Sequence, residues 1–110
     1  MNLNDKFTIL IKVKELYQII NNNIYIVNIK EIDVYNNIRE KILNSYKLLI
    51  EFNITKETKL INLINSKLIN IEILLKDNNF KIKKRNEDLI KHKINEIIKM
   101  NYGLVKKHRS

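Results

Sequence analysis

Apolar residues recur at three- and four-residue steps in four stretches of the chain, and polar breaks near 21–23, 52–55 and 77–79 separate these stretches. Such spacing places apolar side chains on one face of an amphipathic helix. It predicts helices over about residues 4–20, 33–51, 56–76 and 87–102. Because no strict heptad runs across the breaks, the pattern favours an antiparallel bundle with short loops over one long coiled coil.

Each predicted helix has an apolar face that should point into a shared core. The members of these faces are Phe7, Leu10, Ile11 and Tyr17; Tyr35, Ile38, Ile42, Tyr46 and Leu49; Leu60, Ile64, Leu68, Ile71 and Leu75; and Ile90, Ile94, Ile97, Ile98 and Asn101. The sequence therefore predicts an all-α fold.

Polar residues and one glycine predict where the helices begin and end. Asn4, Asp33, Thr55 and Asn86 stand where a side chain can cap a helix N-terminus. Gly103, the only glycine, stands where a left-handed residue would end the last helix. The β-branched segment 24–29 is too short and isolated to form a stable strand, so we interpret it as a helix continuation or an apolar connector.

Length and composition predict one globular domain with a strongly basic surface. The chain has 110 residues, 45% of them hydrophobic, and a formal net charge of +9. Its commonest residues, Ile, Asn and Lys, have A- and T-rich codons, so gene composition alone can account for part of the lysine excess. The chain has no cysteine, which excludes disulfides and thiol chemistry.

No residue pattern in the chain indicates catalysis or metal binding. His92 lies between two lysines without an acidic partner at ligand spacing, and we expect it to be a solvated surface residue. Glu87 and Asp88 stand where a helix dipole favours negative charge. No glycine-rich loop is present that could hold a phosphate. We therefore expect a protein that is not an enzyme.

Two basic runs, residues 81–85 and 106–109, leave several partners open. A basic helical domain can bind RNA or DNA, for example on a ribosome, and this is the alternative function. The runs can also contact an acidic protein, or form a lysine-coated face that binds nothing. A further alternative is a helical subunit that docks into a larger complex through its apolar stripe.

Two short motifs give the chain a family resemblance. Leu16-Tyr17-Gln18 stands at the end of the first basic amphipathic segment, and the stretch 39–47 reads R-x-x-I-x-x-x-Y-K. Together with the apolar cluster 71–76, they follow the order and spacing of the LYR-motif family of small mitochondrial accessory proteins. The chain resembles this family over roughly residues 7–77, and departs from it at Gln18, where arginine is usual, and at Tyr46, where phenylalanine is usual.

The resemblance implies an antiparallel three-helix core over residues 1–79. Residues 80–110 exceed the usual core of the family, and we expect them to form an additional C-terminal helical arm and basic tail. It implies a place in the mitochondrial matrix and binding of acyl carrier protein. The members that look most similar are the accessory subunit of the mitochondrial cysteine desulfurase, which supports iron–sulfur cluster assembly, and the chaperone that helps insert the Rieske protein into a respiratory complex. The partner would then be a cysteine desulfurase or a respiratory-complex subunit.

The resemblance also implies a carrier-binding surface on the first two helices. Its members are Lys12, Lys14, Leu16, Tyr17, Gln18, Arg39, Lys41, Tyr46 and Lys47. No cofactor is expected to bind directly; the candidate group is the acyl-phosphopantetheine of the carrier, whose chain would lie between the helices.

Overall fold

A computed structural model describes the backbone of residues 3–24, 29–77, 80, 82 and 84–109, and the side chains of 7–24, 29–77, 80, 82 and 85–106. Within these ranges the chain forms four helices and no strand, which confirms the all-α class. The helices are α1 (Leu3–Asn23), α2 (Lys30–Thr55), α3 (Thr58–Asp77) and α4 (Lys84–Arg109).

The four helices form a closed ring in which each packs against two others. α1 contacts α2 and α4, and α3 contacts α2 and α4. Residues late in one helix meet residues early in its neighbour: Asn21 bonds Tyr35 across α1 and α2, and Asn101 bonds Asn65 across α3 and α4. Neighbouring helices therefore run antiparallel. α4 lies between α1 and α3 and closes the ring.

One continuous core fills the ring, and all four helices contribute to it. Its helical members are Ile9, Val13, Leu16, Ile20, Ile38, Ile42, Leu49, Phe52, Leu60, Ile61, Ile64, Leu68, Ile71, Ile90, Ile94, Ile97 and Leu104. The predicted faces of α2, α3 and α4 agree with this core. The separation of residues 1–79 from an arm of 80–110 stays a prediction, although the described part of α4 shares the core of the other helices.

The predicted apolar face of α1 was wrong in part: Leu10 and Tyr17 pack against the core, but Phe7 and Ile11 do not. Phe7 and Ile11 are each 56% exposed, whereas Ile9 and Val13 are almost fully buried. Both sets of residues follow helical spacing, because α1 is apolar on two sides. Only the positions of α2 and α4 decide which side faces the core, and the sequence of α1 alone does not contain that information.

Several predicted helix ends also differ from the structure. α2 begins at Lys30, so Asp33 lies inside the helix, and Ile29 at the N-cap gives no side-chain cap. Asn4 and Asn86 likewise lie inside α1 and α4. The polar run 21–23 belongs to the last turn of α1, whereas Asp77 does end α3. Helix propensity favours a break at the asparagines 21–23, but burial of the neighbouring Ile20 and Ile24 stabilises the helix there.

Gly103 does not end α4. The helix continues to Arg109, and Gly103 has no positive φ. Among the described residues, the one that adopts the left-handed conformation is Lys56, with φ of 61°, at the C-cap of α2. Its N–H donates a hydrogen bond of 2.8 Å to the carbonyl of Phe52. The left-handed residue ends α2, and α3 begins two residues later.

Some sequence features lie outside the described residues. These are residues 25–28 of the predicted connector, Lys81, Lys83 and the side chain of Lys84 in the first basic run, and the side chains beyond Lys106 in the second. Arg85 and Lys106, where each run is described, are exposed. Among the described helices, none combines the length and apolarity that crossing a bilayer requires.

Candidate binding site between the first two helices

An apolar groove opens to the surface between α1 and α2. Its volume is about 310 Å³, and its lining residues are Val13, Lys14, Tyr17, Ile42, Leu43 and Tyr46. We call it the α1–α2 groove. Antiparallel packing brings the middle of α1 opposite the middle of α2, so Tyr17 of the first motif and Tyr46 of the second meet here. Leu43 is 46% exposed at its rim, which leaves apolar surface in contact with water.

At one end of this groove Arg39 is held between two tyrosines. Its guanidinium carbon lies 5.5 Å from the ring centroid of Tyr17 and 5.6 Å from that of Tyr35. Its Nη2 donates a hydrogen bond of 2.8 Å to the Tyr17 hydroxyl. Tyr35 in turn donates to Oδ1 of Asn21 over 3.0 Å. These contacts fix the register of α1 against α2.

The same cluster changes the acidity of its members. Two hydrogen bonds lower the pKa of Tyr17 below its ordinary value: the larger effect comes from Arg39 and the smaller from Asn21. Burial raises the pKa of Tyr35, although the charge of Arg39 opposes this effect. The bond to Tyr17 raises the pKa of Arg39, which is always charged in any case. The cluster therefore keeps a fixed positive charge beside the groove.

Arg39 has hydrogen-bonding capacity left over. Its Nε is buried and has no acceptor among the described residues. Guanidinium groups present several donors in a planar fork suited to carboxylate and phosphate oxygens. An anionic group that reached this end of the groove would meet a cation already held in place by two aromatic rings.

The predicted binding residues fall into two sets. Lys14, Tyr17 and Tyr46 line the α1–α2 groove, and Arg39 contacts Tyr17 at its end. Lys47 is exposed one residue after Tyr46. Lys14, Tyr17, Arg39 and Tyr46 therefore belong to one site, and Lys47 is their exposed neighbour on α2.

The remaining four predicted residues lie elsewhere. Lys12 forms an ion pair of 2.5 Å with Glu96 on α4, on the other side of α1. Leu16 is fully buried in the core, and Gln18 is exposed on the outer surface. The side chain of Lys41 is half-buried, while its backbone carbonyl accepts from Ser45 on the buried side of α2.

Sequence reasoning missed Tyr35, Asn21 and Leu43. Tyr35 and Leu43 stand four residues before and after Arg39, so helical spacing alone places both on the face of Arg39. That signal was available from the sequence. The role of Asn21 was not, because it depends on α1 extending through a run of asparagines that propensity disfavours.

A second ion pair joins α1 and α4. Lys93 pairs with Glu15, beside the pair of Lys12 and Glu96. The Lys12 ammonium lowers the pKa of Glu96 below its ordinary value of 4.5. His92 lies 4.0 Å from Glu96, four residues later in α4, so it has an acidic neighbour that we did not expect from the sequence; its side chain is 76% exposed, as expected for a surface histidine.

The chain matches no protein-family model, no curated protein and no solved structure. The arrangement of its own residues is therefore the basis on which a function is proposed.

Proposed function

We propose that this chain is a non-catalytic adaptor of the LYR type that binds acyl carrier protein. In this role it acts in the mitochondrial matrix and stabilises a cysteine desulfurase or a respiratory-complex assembly partner. The observation that supports the proposal is the α1–α2 groove. It joins Tyr17 of the first motif to Tyr46 of the second along one apolar surface, with Lys14 at its edge.

The groove suits the acyl chain of a carrier. It is lined mainly by Val, Ile, Leu and Tyr side chains, and Leu43 leaves apolar surface exposed there. Each buried methylene contributes about 0.8 kcal/mol, so a chain of several methylenes can supply much of the affinity. The thioester-bearing arm would enter past Arg39 or Lys14, where its phosphate meets a cation.

The cations that meet the acidic carrier are Lys14 and Lys47 rather than Lys12. Both are exposed, and neither has an ion-pair partner among the described residues. Lys12 is paired with Glu96. Gln18 carries no charge, so a charge-assisted bond of about 1.5–3 kcal/mol made by an arginine there is not available. Arg39 supplies a fixed positive charge beside the groove that Gln18 does not provide.

Co-expression of the chain with acyl carrier protein tests the proposal. We expect a complex that survives gentle purification and that Lys14→Glu with Lys47→Glu disrupts. The matched control is Lys91→Glu with Lys99→Glu on α4, which changes the net charge equally but lies away from the groove. Absence of a wild-type complex at low salt, or equal loss with both pairs, would contradict the proposal.

A further inference from the structure

The outer side of α4 carries a line of basic residues at seven-residue intervals. His92, Lys99 and Lys106 are all exposed, and about 10 Å of helix separates each from the next. Lys91, also exposed, stands beside the first of them. We call these four residues the α4 basic line. Among the described residues, no acidic side chain pairs with the lysines of this line. The carboxylate of Glu96 lies 4.0 Å from His92.

Next to this line, the contact between α3 and α4 leaves apolar surface exposed. Asn65, Ile69 and Ile73 form a row four residues apart on α3. Asn65 bonds α4, and Ile73 lines a groove of about 380 Å³ together with Lys91. Ile69, between them, therefore also lies along this contact. Ile69 and Ile73 are 45% and 48% exposed, and Tyr102 on α4 is 59% exposed.

Two carboxylates line the same groove. Glu72 and Glu87 line it with Lys76, Lys91, Ile73 and Ile90. One carboxylate oxygen of Glu72, Oε1, is buried and accepts no hydrogen bond from a described residue. The groove thus combines apolar side chains with two cations, Lys76 and Lys91, and two carboxylates, and the rest of the α4 basic line continues beyond it along α4.

We propose that the surface along α3 and α4 binds an acidic amphipathic helix of a partner protein. Apolar residues of that helix would pack on Ile69, Ile73 and Tyr102. Acidic residues one heptad apart would face the α4 basic line, as charges flanking a coiled-coil contact do. A hydrogen-bond donor or a basic side chain of the partner helix would face the carboxylates of Glu72 and Glu87 that line the groove.

These features favour a helix over a nucleic acid. A phosphate backbone gains nothing from the exposed isoleucines, and Glu72 and Glu87 would repel it where it entered the groove. A protein helix can place a hydrogen-bond donor beside Glu72 and Glu87 and acidic side chains along the α4 basic line. The inference is independent of carrier binding, because this surface lies on the helices that do not form the α1–α2 groove.

The probe for this inference is a synthetic labelled peptide of about five helical turns, with leucines on one face and glutamates flanking them at heptad spacing. A peptide of the same composition in scrambled order controls for charge alone. Fluorescence anisotropy with the full chain should show binding at least about tenfold tighter for the amphipathic peptide than for the scrambled one.

Paired substitutions then locate the peptide. Lys99→Glu with Lys106→Glu should weaken binding about tenfold or more, and Ile69→Asn should weaken it as well. Lys14→Glu with Lys47→Glu should leave it unchanged, although the net charge falls equally. Circular dichroism should show that each variant keeps its helices. No preference for the amphipathic peptide, equal loss with both lysine pairs, or an RNA oligonucleotide that displaces the peptide from this surface would overturn the proposal.

Discussion

The guanidinium of Arg39 on α2 donates a 2.8 Å hydrogen bond to the phenolic oxygen of Tyr17 on α1. The two residues belong to the two motifs from which the family resemblance was drawn, and 22 positions separate them in the sequence. Their contact makes the motifs one structural unit. A second ring, that of Tyr35, lies on the same cation and completes the cluster.

Replacement of Arg39 should therefore loosen α1 from α2. Arg39→Ala removes a charge-assisted bond and two cation–π contacts in a half-exposed position, and should lower the free energy of unfolding by about 1 kcal/mol or somewhat more. Arg39→Lys keeps the charge but loses the planar fork, and should fall between wild type and alanine. Urea unfolding measures both. If Arg39→Ala left the free energy of unfolding unchanged, the cluster would contribute nothing to the stability of the fold.

The ion pair of Lys12 with Glu96 should make stability depend on acid pH. Because the pKa of Glu96 is lower in the folded chain than its ordinary value of 4.5, the folded state binds the proton less readily than the unfolded state. The stabilisation is complete above pH 4.5 and is lost as the pH falls through the lower, folded pKa. Since Glu96 is partly exposed, we expect only about 0.2–1 kcal/mol.

Unfolding of wild type and Glu96→Gln at several pH values measures this effect. The variant should be less stable than wild type at pH 7, and the difference should shrink on acidification below 4.5. If the difference in stability between wild type and Glu96→Gln stayed constant down to strongly acid pH, the carboxylate of Glu96 would not be stabilised by Lys12.

The buried amide pair between α3 and α4 predicts an unusual order of stabilities. Asn101 donates to Asn65 over 2.9 Å, but Nδ2 of Asn65 and Oδ1 of Asn101 have no partner among the described residues. Asn101→Leu alone would leave the Asn65 amide unsatisfied and cost about 1–3 kcal/mol.

Replacing both amides should cost less than replacing one. Asn65→Leu with Asn101→Leu removes both polar groups from an apolar surrounding and should be close to wild type or more stable. Chemical denaturation of the two single variants and the double variant gives the comparison. Additive losses would contradict this account of the pair.

Gly103→Ala should stabilise the chain. Gly103 lies inside α4 without a positive φ, and a Cβ there would meet nothing within 4 Å. Alanine restricts the unfolded chain and favours helix, which together raise the free energy of unfolding by about 0.5–1 kcal/mol. Thermal melting should show a higher midpoint. A lower midpoint would indicate that Gly103 does end the helix, as its place in the sequence suggested.

The helices with one apolar stripe were predictable, and the helix with two was not. In α4 a single line of Ile residues defines the buried side, and the structure follows it; in α3 the predicted stripe is buried although Leu63, Ile69 and Ile73 leave further apolar side chains exposed. In α1 the choice between Ile11 and Val13 depends on where α4 lies. The same limit hides the pair of Lys12 with Glu96, because 84 positions separate the residues and nothing local joins them.

The candidate site was predictable in part for the same reason. Tyr17 and Tyr46 were singled out from the motifs, and both line the α1–α2 groove. Lys12 was expected beside Lys14, since the two are close in sequence. Two positions along a helix turn a side chain by about 200°, so Lys12 points to α4 while Lys14 faces the groove.

Titration of the purified chain with acyl carrier protein, in its acyl-loaded and unloaded forms, tests the central claim most directly. Burial of the acyl chain in the α1–α2 groove predicts that the loaded form binds at least about tenfold tighter. Leu43→Gln should reduce that difference while Leu63→Gln, at a similarly exposed leucine on α3, preserves it. Equal affinity for both forms, or no binding of either, would contradict the claim.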